Sequence, residues 1–381
     1  MSGYDVLIVG GGVVGFSTAF HLAESGRKKV LLLERDFPAA GATGRCGGGI
    51  RAQWSTPGNI RLAQHSISEF ENFKDMTGQD IQFRQGGYLL PAYSREEAGQ
   101  FKKNAALQKR HGVPVELVSP EQAREITPAV NTAGMLTAAY CPTDGVANPF
   151  LVTKGYADAA EKAGVEIRLR AEVTGFETSG PRVTAALLRD GTRIACGAVL
   201  NAAGGWAAAV CEMVGAKIPL KPYRHQIMVT EPLEIFHRPM VIDLHHNLYF
   251  CQAEEGGILA GQTDEDEPPS FNTKNSWRFI VEISRKLIYH CPALADVAVV
   301  RQWAGLYSMT PDAQPILGRV GEYDNFFCAC GFSGHGFMIS PAVGLLMAEL
   351  LTHGRARTLS IEDYSADRFE RGEFVREKSV V

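Results

Sequence analysis

A chain of 381 residues is too long for one small core and suits two domains. Its 45% hydrophobic and 21% charged residues are ordinary for a soluble globular protein, and a formal net charge of −4 gives no basic footprint for nucleic acid. Eight cysteines (46, 141, 196, 211, 251, 291, 328 and 330) show no CxxC spacing, which argues against disulfides or a bound metal and for reduced thiols in a cytoplasm.

Val6–Val9 is a continuous apolar run, the pattern of a parallel strand buried on both faces. A helix follows through Phe16, Ala19, Phe20 and Leu22 with Gly26 as its stop, and Val30–Leu33 is a second buried strand ending at Glu34. This apolar start lacks a basic flank and has Asp5 before it, so it does not read as a signal peptide. No run of ~18 apolar residues predicts a membrane-spanning helix. Ile81–Tyr140 is mixed and polar with little periodicity. Beyond Val165 the segments shorten and alternate, and Asp190-Gly191 between Val183–Leu188 and Arg193–Val199 predicts a hairpin. Residues 218–301 alternate like antiparallel strands (Gln226–Val229, Asn247–Cys251) and then carry a helix over Ser276–Tyr289. A glycine-rich turn leads to a last helix, Pro341–Leu351, with Ser340 as N-cap and Pro341 at the first helical position. With no repeat and no linker, the second domain is expected to be inserted into the first.

The chemistry starts at Gly10-Gly11-Gly12-Val13-Val14-Gly15, a GxGxxG between strand and helix. The first glycine makes the turn, the second admits backbone N–H groups to a pyrophosphate, and the third lets helix and strand pack closely. The phosphates then rest on the helix N-terminus, and Glu34 can accept hydrogen bonds from ribose hydroxyls. This much predicts a dinucleotide without separating NAD from FAD. A second glycine-dense stretch, Gly41–Arg51, can press backbone against a large flat ring, and Asn201–Trp206 ends a strand and begins a helix. Gly331–Phe337 precedes a further helix N-terminus able to hold negative charge on a reduced flavin.

These stretches, with Tyr307–Asp312, resemble nearly end to end the D-amino-acid-oxidase-like flavoenzymes, the glycine and sarcosine oxidase family. Within it the sequence is most similar to the β subunits of heteromeric sarcosine oxidases and dye-linked L-proline dehydrogenases. The resemblance implies an α/β fold: a Rossmann-like FAD-binding domain of glutathione-reductase type (1–84, 146–217 and 302–381) interleaved with an antiparallel-sheet substrate domain (85–145 and 218–301). It implies FAD contacts from Gly10, Gly12, Val13, Val14, Gly15, Glu34, Arg35, Gly44, Arg45, Cys46, Gly48, Val173, Ala203, Gly204, Trp206, Gly305, Gly334, His335, Gly336, Phe337 and Met338. Arg51 matches the arginine that holds the substrate carboxylate, a task suited to a bidentate, always-charged guanidinium; a surface salt bridge is the alternative. Tyr307 and Tyr249 would line the substrate pocket, His335 would lie beside the flavin, and His225 opens a strand as a structural residue.

Four departures qualify the resemblance. Gly305 stands where related enzymes tether flavin through cysteine, so FAD is expected to be non-covalent. Met338 replaces a carboxylate-binding lysine, and Leu259 aligns with the lysine linked to oxygen activation, which favours a dehydrogenase over an oxidase. The region Asn148-Pro149-Phe150 lacks the histidine that carries covalent FMN. The expected reaction is oxidation of a small amino acid or secondary amine by hydride transfer to flavin, giving an imine, with a partner subunit for electron transfer. The alternatives are a 2-hydroxy-acid or glycerol-phosphate dehydrogenase and a flavin-bearing subunit of an electron-transfer complex.

Overall fold

The computed structural model describes residues 3–26, 29–264 and 266–377. Tyr4–Val9, whose last four residues are buried, pairs in parallel with Val30–Leu33 on one side and Arg193–Asn201 on the other. Glu166–Arg168 extends this sheet beyond Val30–Leu33. Phe326–Cys330 extends it in parallel beyond Arg193–Asn201, and Ile316–Arg319 closes that edge antiparallel. The hairpin at Asp190-Gly191 forms as expected, with Gly191 at φ +85°, and joins Arg182–Leu188 to Arg193–Asn201.

Helix Val13–Glu24 lies against helix Gly336–His353. A Cβ built on Gly344 would sit 2.0 Å from Ser17 Oγ, so only glycine admits this approach. The last helix corrects the sequence expectation: it starts at Gly336, with His335 at the N-cap, and Ser340 and Pro341 lie inside it. Pro341 has no N–H to give Phe337 O, and Ser340 Oγ takes that carbonyl at 2.8 Å instead. The helix also passes a length-and-apolarity test for membrane crossing, contrary to expectation, yet two thirds of it is buried within the protein.

A second sheet runs in the order Val299–Met309, Lys221–Thr230, Ile258–Gln262, Leu248–Gln252, Met240–Asp243, Tyr88–Ala92, Thr137–Cys141, Glu116–Val118. It is antiparallel except for one parallel junction, between Met240–Asp243 and Tyr88–Ala92. The expected border at residue 302 cuts Val299–Met309, which pairs with Lys221–Thr230 along its length; the pairing carries the second sheet to Met309. The helix expected near Ser276 spans Trp277–His290, capped by Ser276 Oγ accepting the Phe279 N–H and burying Phe279, Ile283 and Leu287 on one face. Helix Arg95–Arg110 in the polar 81–140 region buries only Phe101, Asn104, Ala105 and Gln108, which hides it from hydrophobic periodicity. A capping box between Ser94 and Glu97 starts it.

Candidate active site

The carboxyl ends of the parallel strands Tyr4–Val9, Val30–Leu33 and Arg193–Asn201 bring the predicted cofactor turns to one edge of the first sheet. Gly10 has φ +117°, and a Cβ there would meet Ala202 O at 2.5 Å; one on Gly15 would meet Gly10 O at 2.0 Å. These glycines are forced by backbone proximity. Glu34 caps the neighbouring strand with its carboxylate oriented by two backbone donors, Gly11 N–H at 2.7 Å and Asp36 N–H at 2.8 Å. Val13 and Val14 are buried behind the turn, and Thr43 Oγ1 accepts the Val13 N–H at 3.1 Å. Val173 lies just beyond Ala171, whose N–H donates to Glu34 O at 2.8 Å. Ala203 and Gly204, the latter at φ +54°, follow Ala202 at the glycine turn. Arg35 lays its guanidinium 3.8 Å over the Trp206 ring, which stacks on Phe271 at 5.5 Å.

From this edge a cleft opens toward the second sheet. The glycine-dense loop contributes Arg45, Cys46, Gly48 and Arg51, strand Val299–Met309 contributes Gly305 and Tyr307, and the start of the last helix contributes Gly334, His335, Phe337 and Met338. Gly48 (φ +70°) and Gly334 (φ +94°) are held by close neighbours: a Cβ would come within 2.2 Å of Ala147 O and 2.4 Å of the Tyr307 ring, respectively. Gly44 and Gly336 shape the walls from outside, since a Cβ on them would strike Ala39 O at 2.5 Å and the Phe332 ring at 2.9 Å. Arg45 is tied across the cleft, donating to Ala304 O at 2.7 Å and Ala40 O at 3.2 Å.

Arg51 is 3% exposed, which excludes a surface salt bridge. Its Nη1 donates to Gln53 O at 2.9 Å, and its guanidinium lies 4.0 Å over Trp54, whose Nε1–H returns a bond to Arg51 O at 3.0 Å. Burial lowers the Arg51 pKa, while Tyr88, Glu377 and Asp144 nearby raise it; a guanidinium stays charged through such shifts. Asp144 is wholly buried beneath this loop, accepting from Ala52 N at 2.8 Å and Gln53 Nε2 at 3.0 Å.

Desolvation pushes Asp144 up to about 6 against those donors and Arg51. A raised folded-state value means that its contribution to stability is full below the unfolded value near 4 and is lost as pH rises through about 6. Between pH 4 and 7 the wild type should therefore lose ~3 kcal/mol relative to Asp144→Asn. Urea midpoints of both proteins across that range measure the difference; parallel curves would exclude the assignment.

The second sheet supplies what sequence reasoning missed: Tyr88, Met240 and Ile242 line the cleft beside Tyr249. It also corrects His225, which is part of the wall rather than merely structural. The imidazole stacks on Tyr307 (4.1 Å, 4° between planes) and on Tyr249 (5.6 Å, 11°), with Nε2 3.2 Å from the Tyr249 hydroxyl. Alternation along Lys221–Thr230 alone could have placed His225 and Tyr223 on one face, but only pairing with Val299–Met309 shows which face meets the cleft. Desolvation raises the Tyr249, Tyr307 and Tyr88 pKa values and lowers His225 and His335 to about 4, so this wall is uncharged near neutrality. His335 is 2% exposed, 4.8 Å from the Trp54 ring, and neither ring nitrogen has a hydrogen-bond partner among the described residues.

Leu259, aligned with the lysine linked to oxygen activation, lies in strand Ile258–Gln262 and is not among the cleft-lining residues. Among the described residues, the lining cations are Arg45 and Arg51, with no lysine and no carboxylate. Burial raises the Cys46 thiol to about 11, far from a reactive thiolate. At the far end of the second sheet Asp243 Oδ2 lies 2.7 Å from His246 Nδ1 and 2.9 Å from His290 Nε2. His290 Nδ1 accepts the Asn131 N–H at 3.3 Å.

Known proteins place this architecture. The β subunit of sarcosine oxidase from Arthrobacter sp. is 29% identical over 380 residues, covering 98% of this chain and 93% of that one. The crystal structure of L-proline dehydrogenase from P. horikoshii superposes with a TM-score of 0.93 at 36% identity, covering 98% of this chain and all of that one. Glycine oxidase from Geobacillus kaustophilus superposes with a TM-score of 0.87 at 25% identity, covering 96% and 98%. The family model for FAD-dependent oxidoreductases of the DAO type matches residues 5–350, and with its glycine cradle and oriented Glu34 the chain belongs to that family.

Proposed function

We propose that the protein oxidises a small monocarboxylic amino acid or secondary amine, of the sarcosine, L-proline or glycine type, with non-covalently held FAD. One observation carries the reading: a single buried arginine, Arg51, faces an uncharged aromatic wall in a cleft without a lining carboxylate among the described residues. The cleft fits the cofactor, because Gly10, Gly15 and Gly48 are positions where backbone approaches too closely for a side chain and the His335 nitrogens are buried without hydrogen-bond partners among the described residues. Gly10, Gly12 and Gly15 would cradle the pyrophosphate, Glu34 the ribose, and the Gly334–Met338 turn the ring. FAD, when bound, would supply the two-electron acceptor for oxidation of the carbon–nitrogen bond.

The side chains bind and orient. Arg51 offers parallel N–H groups to a carboxylate, Trp54 fixes the plane of that guanidinium, and Tyr88, Tyr249 and Tyr307 exclude water around the amine. Arg45 is tied to backbone carbonyls, so one buried guanidinium, Arg51, supports one substrate carboxylate over two. Removing an alcohol proton needs a base matched to the working pH, whereas His225 and His335 are held to about 4; this supports an amine over a 2-hydroxy acid or glycerol phosphate. The absence of a lining lysine among the described residues supports a dehydrogenase passing electrons to a dye or protein partner. Relatives named as subunits support a heteromeric assembly, and eight free cysteines support a reducing cytoplasm.

The test is anaerobic mixing of the purified flavoprotein with sarcosine, L-proline, glycine, D-amino acids, 2-hydroxyglutarate and glycerol 3-phosphate. Bleaching by an amine is the expected result; bleaching only by a hydroxy compound would overturn it. The pH profile of kcat/KM should rise with deprotonation of the substrate amine and show no imidazole inflection between pH 5 and 8, since both cleft histidines titrate near 4. An inflection near 6.5 that disappears in His225→Asn would assign the proton chemistry to that ring.

A further inference from the structure

The chain beyond helix Gly336–His353 returns to the cleft from behind. Arg368, 2% exposed, grips Asp312 with two bonds (Nε–Oδ2 2.7 Å, Nη2–Oδ1 3.0 Å) and donates to Gln314 O at 3.0 Å. Gln314 Nε2 donates to Val375 O at 3.2 Å, and the Glu377 N–H to Asp312 O at 3.1 Å. This segment is thereby fastened to the turn that follows the strand carrying Tyr307.

Glu377 then points inward. Phe374 and Val375 are over half exposed, but Glu377 is 2% exposed. Its carboxylate accepts from Ser55 N at 3.0 Å, from the Ser55 hydroxyl, from Thr56 Oγ1 at 3.1 Å and from Asn59 Nδ2 at 3.0 Å. It sits at the start of helix Pro57–Glu71, whose N-cap, Thr56, makes no capping bond with its own side chain. A carboxylate at that end is favoured by unpaired N–H groups and the helix dipole. Such a cap is normally local; here it comes from more than 300 residues away along the chain.

The residue before Ser55 is Trp54, the plate beneath Arg51 and the neighbour of His335. The charge of Glu377 is felt at both, raising the pKa of each against burial. We propose that Glu377 is a positioning residue for the substrate carboxylate: by holding Ser55 and Thr56 it sets the Trp54 plate, and through it the aim of Arg51. This rests on Arg51 as the carboxylate clamp.

The experiment uses the FAD-loaded enzyme and pyrrole-2-carboxylate, a carboxylate with no hydride to give, titrated by its perturbation of the flavin band. Glu377→Ala should raise its Kd and the substrate KM about tenfold, with kcat changed less than twofold and FAD content unchanged. Glu377→Gln, keeping an acceptor for Ser55 N, should recover part of the loss. Unchanged Kd and KM would overturn the proposal, as would equal losses in kcat, KM and FAD content, the pattern of general loosening. Arg51→Ala runs alongside. If it too leaves Kd unchanged, the clamp reading has failed; if it weakens binding while Glu377→Ala does not, only the positioning role has failed.

Discussion

Arg51→Ala should raise the substrate KM by about 10- to 150-fold, the equivalent of the ~1.5–3 kcal/mol carried by hydrogen bonds to charged groups. Arg51 is the fully buried cation of the cleft and the proposed carboxylate clamp, whereas Arg45 is only half-buried and donates to Ala304 O and Ala40 O. Its guanidinium is already oriented by Gln53 O and the Trp54 ring, so little ordering remains to be done on binding. kcat should also fall, since a substrate without its anchor no longer holds its reacting carbon in register with the ring. Arg51→Lys should recover charge but not the two-pronged geometry, and so lie between. Steady-state kinetics with the flavin spectrum as a control for loading provide the measurement. An Arg51→Ala enzyme with wild-type KM would remove the basis for a carboxylate substrate.

Gly15→Ala should yield colourless protein, with FAD per chain down at least tenfold. The added Cβ would lie 2.0 Å from Gly10 O, a backbone atom that cannot swing aside. Relieving the overlap moves either the glycine turn or the helix Val13–Glu24, and both shape the proposed pyrophosphate site. Gly12→Ala is the control, because its Cβ meets only Thr43 Oγ1 at 3.3 Å. That variant should fold with little change in melting temperature and lose FAD affinity only through obstructed phosphate approach. Absorbance ratios and thermal melts of the two proteins separate these causes. Full flavin loading in Gly15→Ala would show that the turn does not cradle the dinucleotide.

Local signals explain why some elements were legible. Val6–Val9, the glycine turn and Val30–Leu33 follow from apolar runs and glycine spacing, and the hairpin from Asp190-Gly191; each depends on near neighbours in the chain. The last helix was misread at its start because a Ser-Pro pair is a strong N-terminal signal. A side-chain hydroxyl replaced the missing backbone donor and let the helix begin at Gly336, putting its first turn against the cleft. Helix Arg95–Arg110 was missed because capping and polar contacts, rather than an apolar stripe, define it.

The sequence by itself determined the dinucleotide turn, the acidic strand end and the arginine of the second glycine loop, since backbone sterics and charge act at fixed short spacing. Tertiary structure alone decided that Arg51 is buried, that His225 belongs to the aromatic wall with Tyr307 and Tyr249, and that Glu377 supports Ser55 from the far end of the chain. Those relations depend on strand register and on which segments cross in space, and neither leaves a periodic trace along the chain.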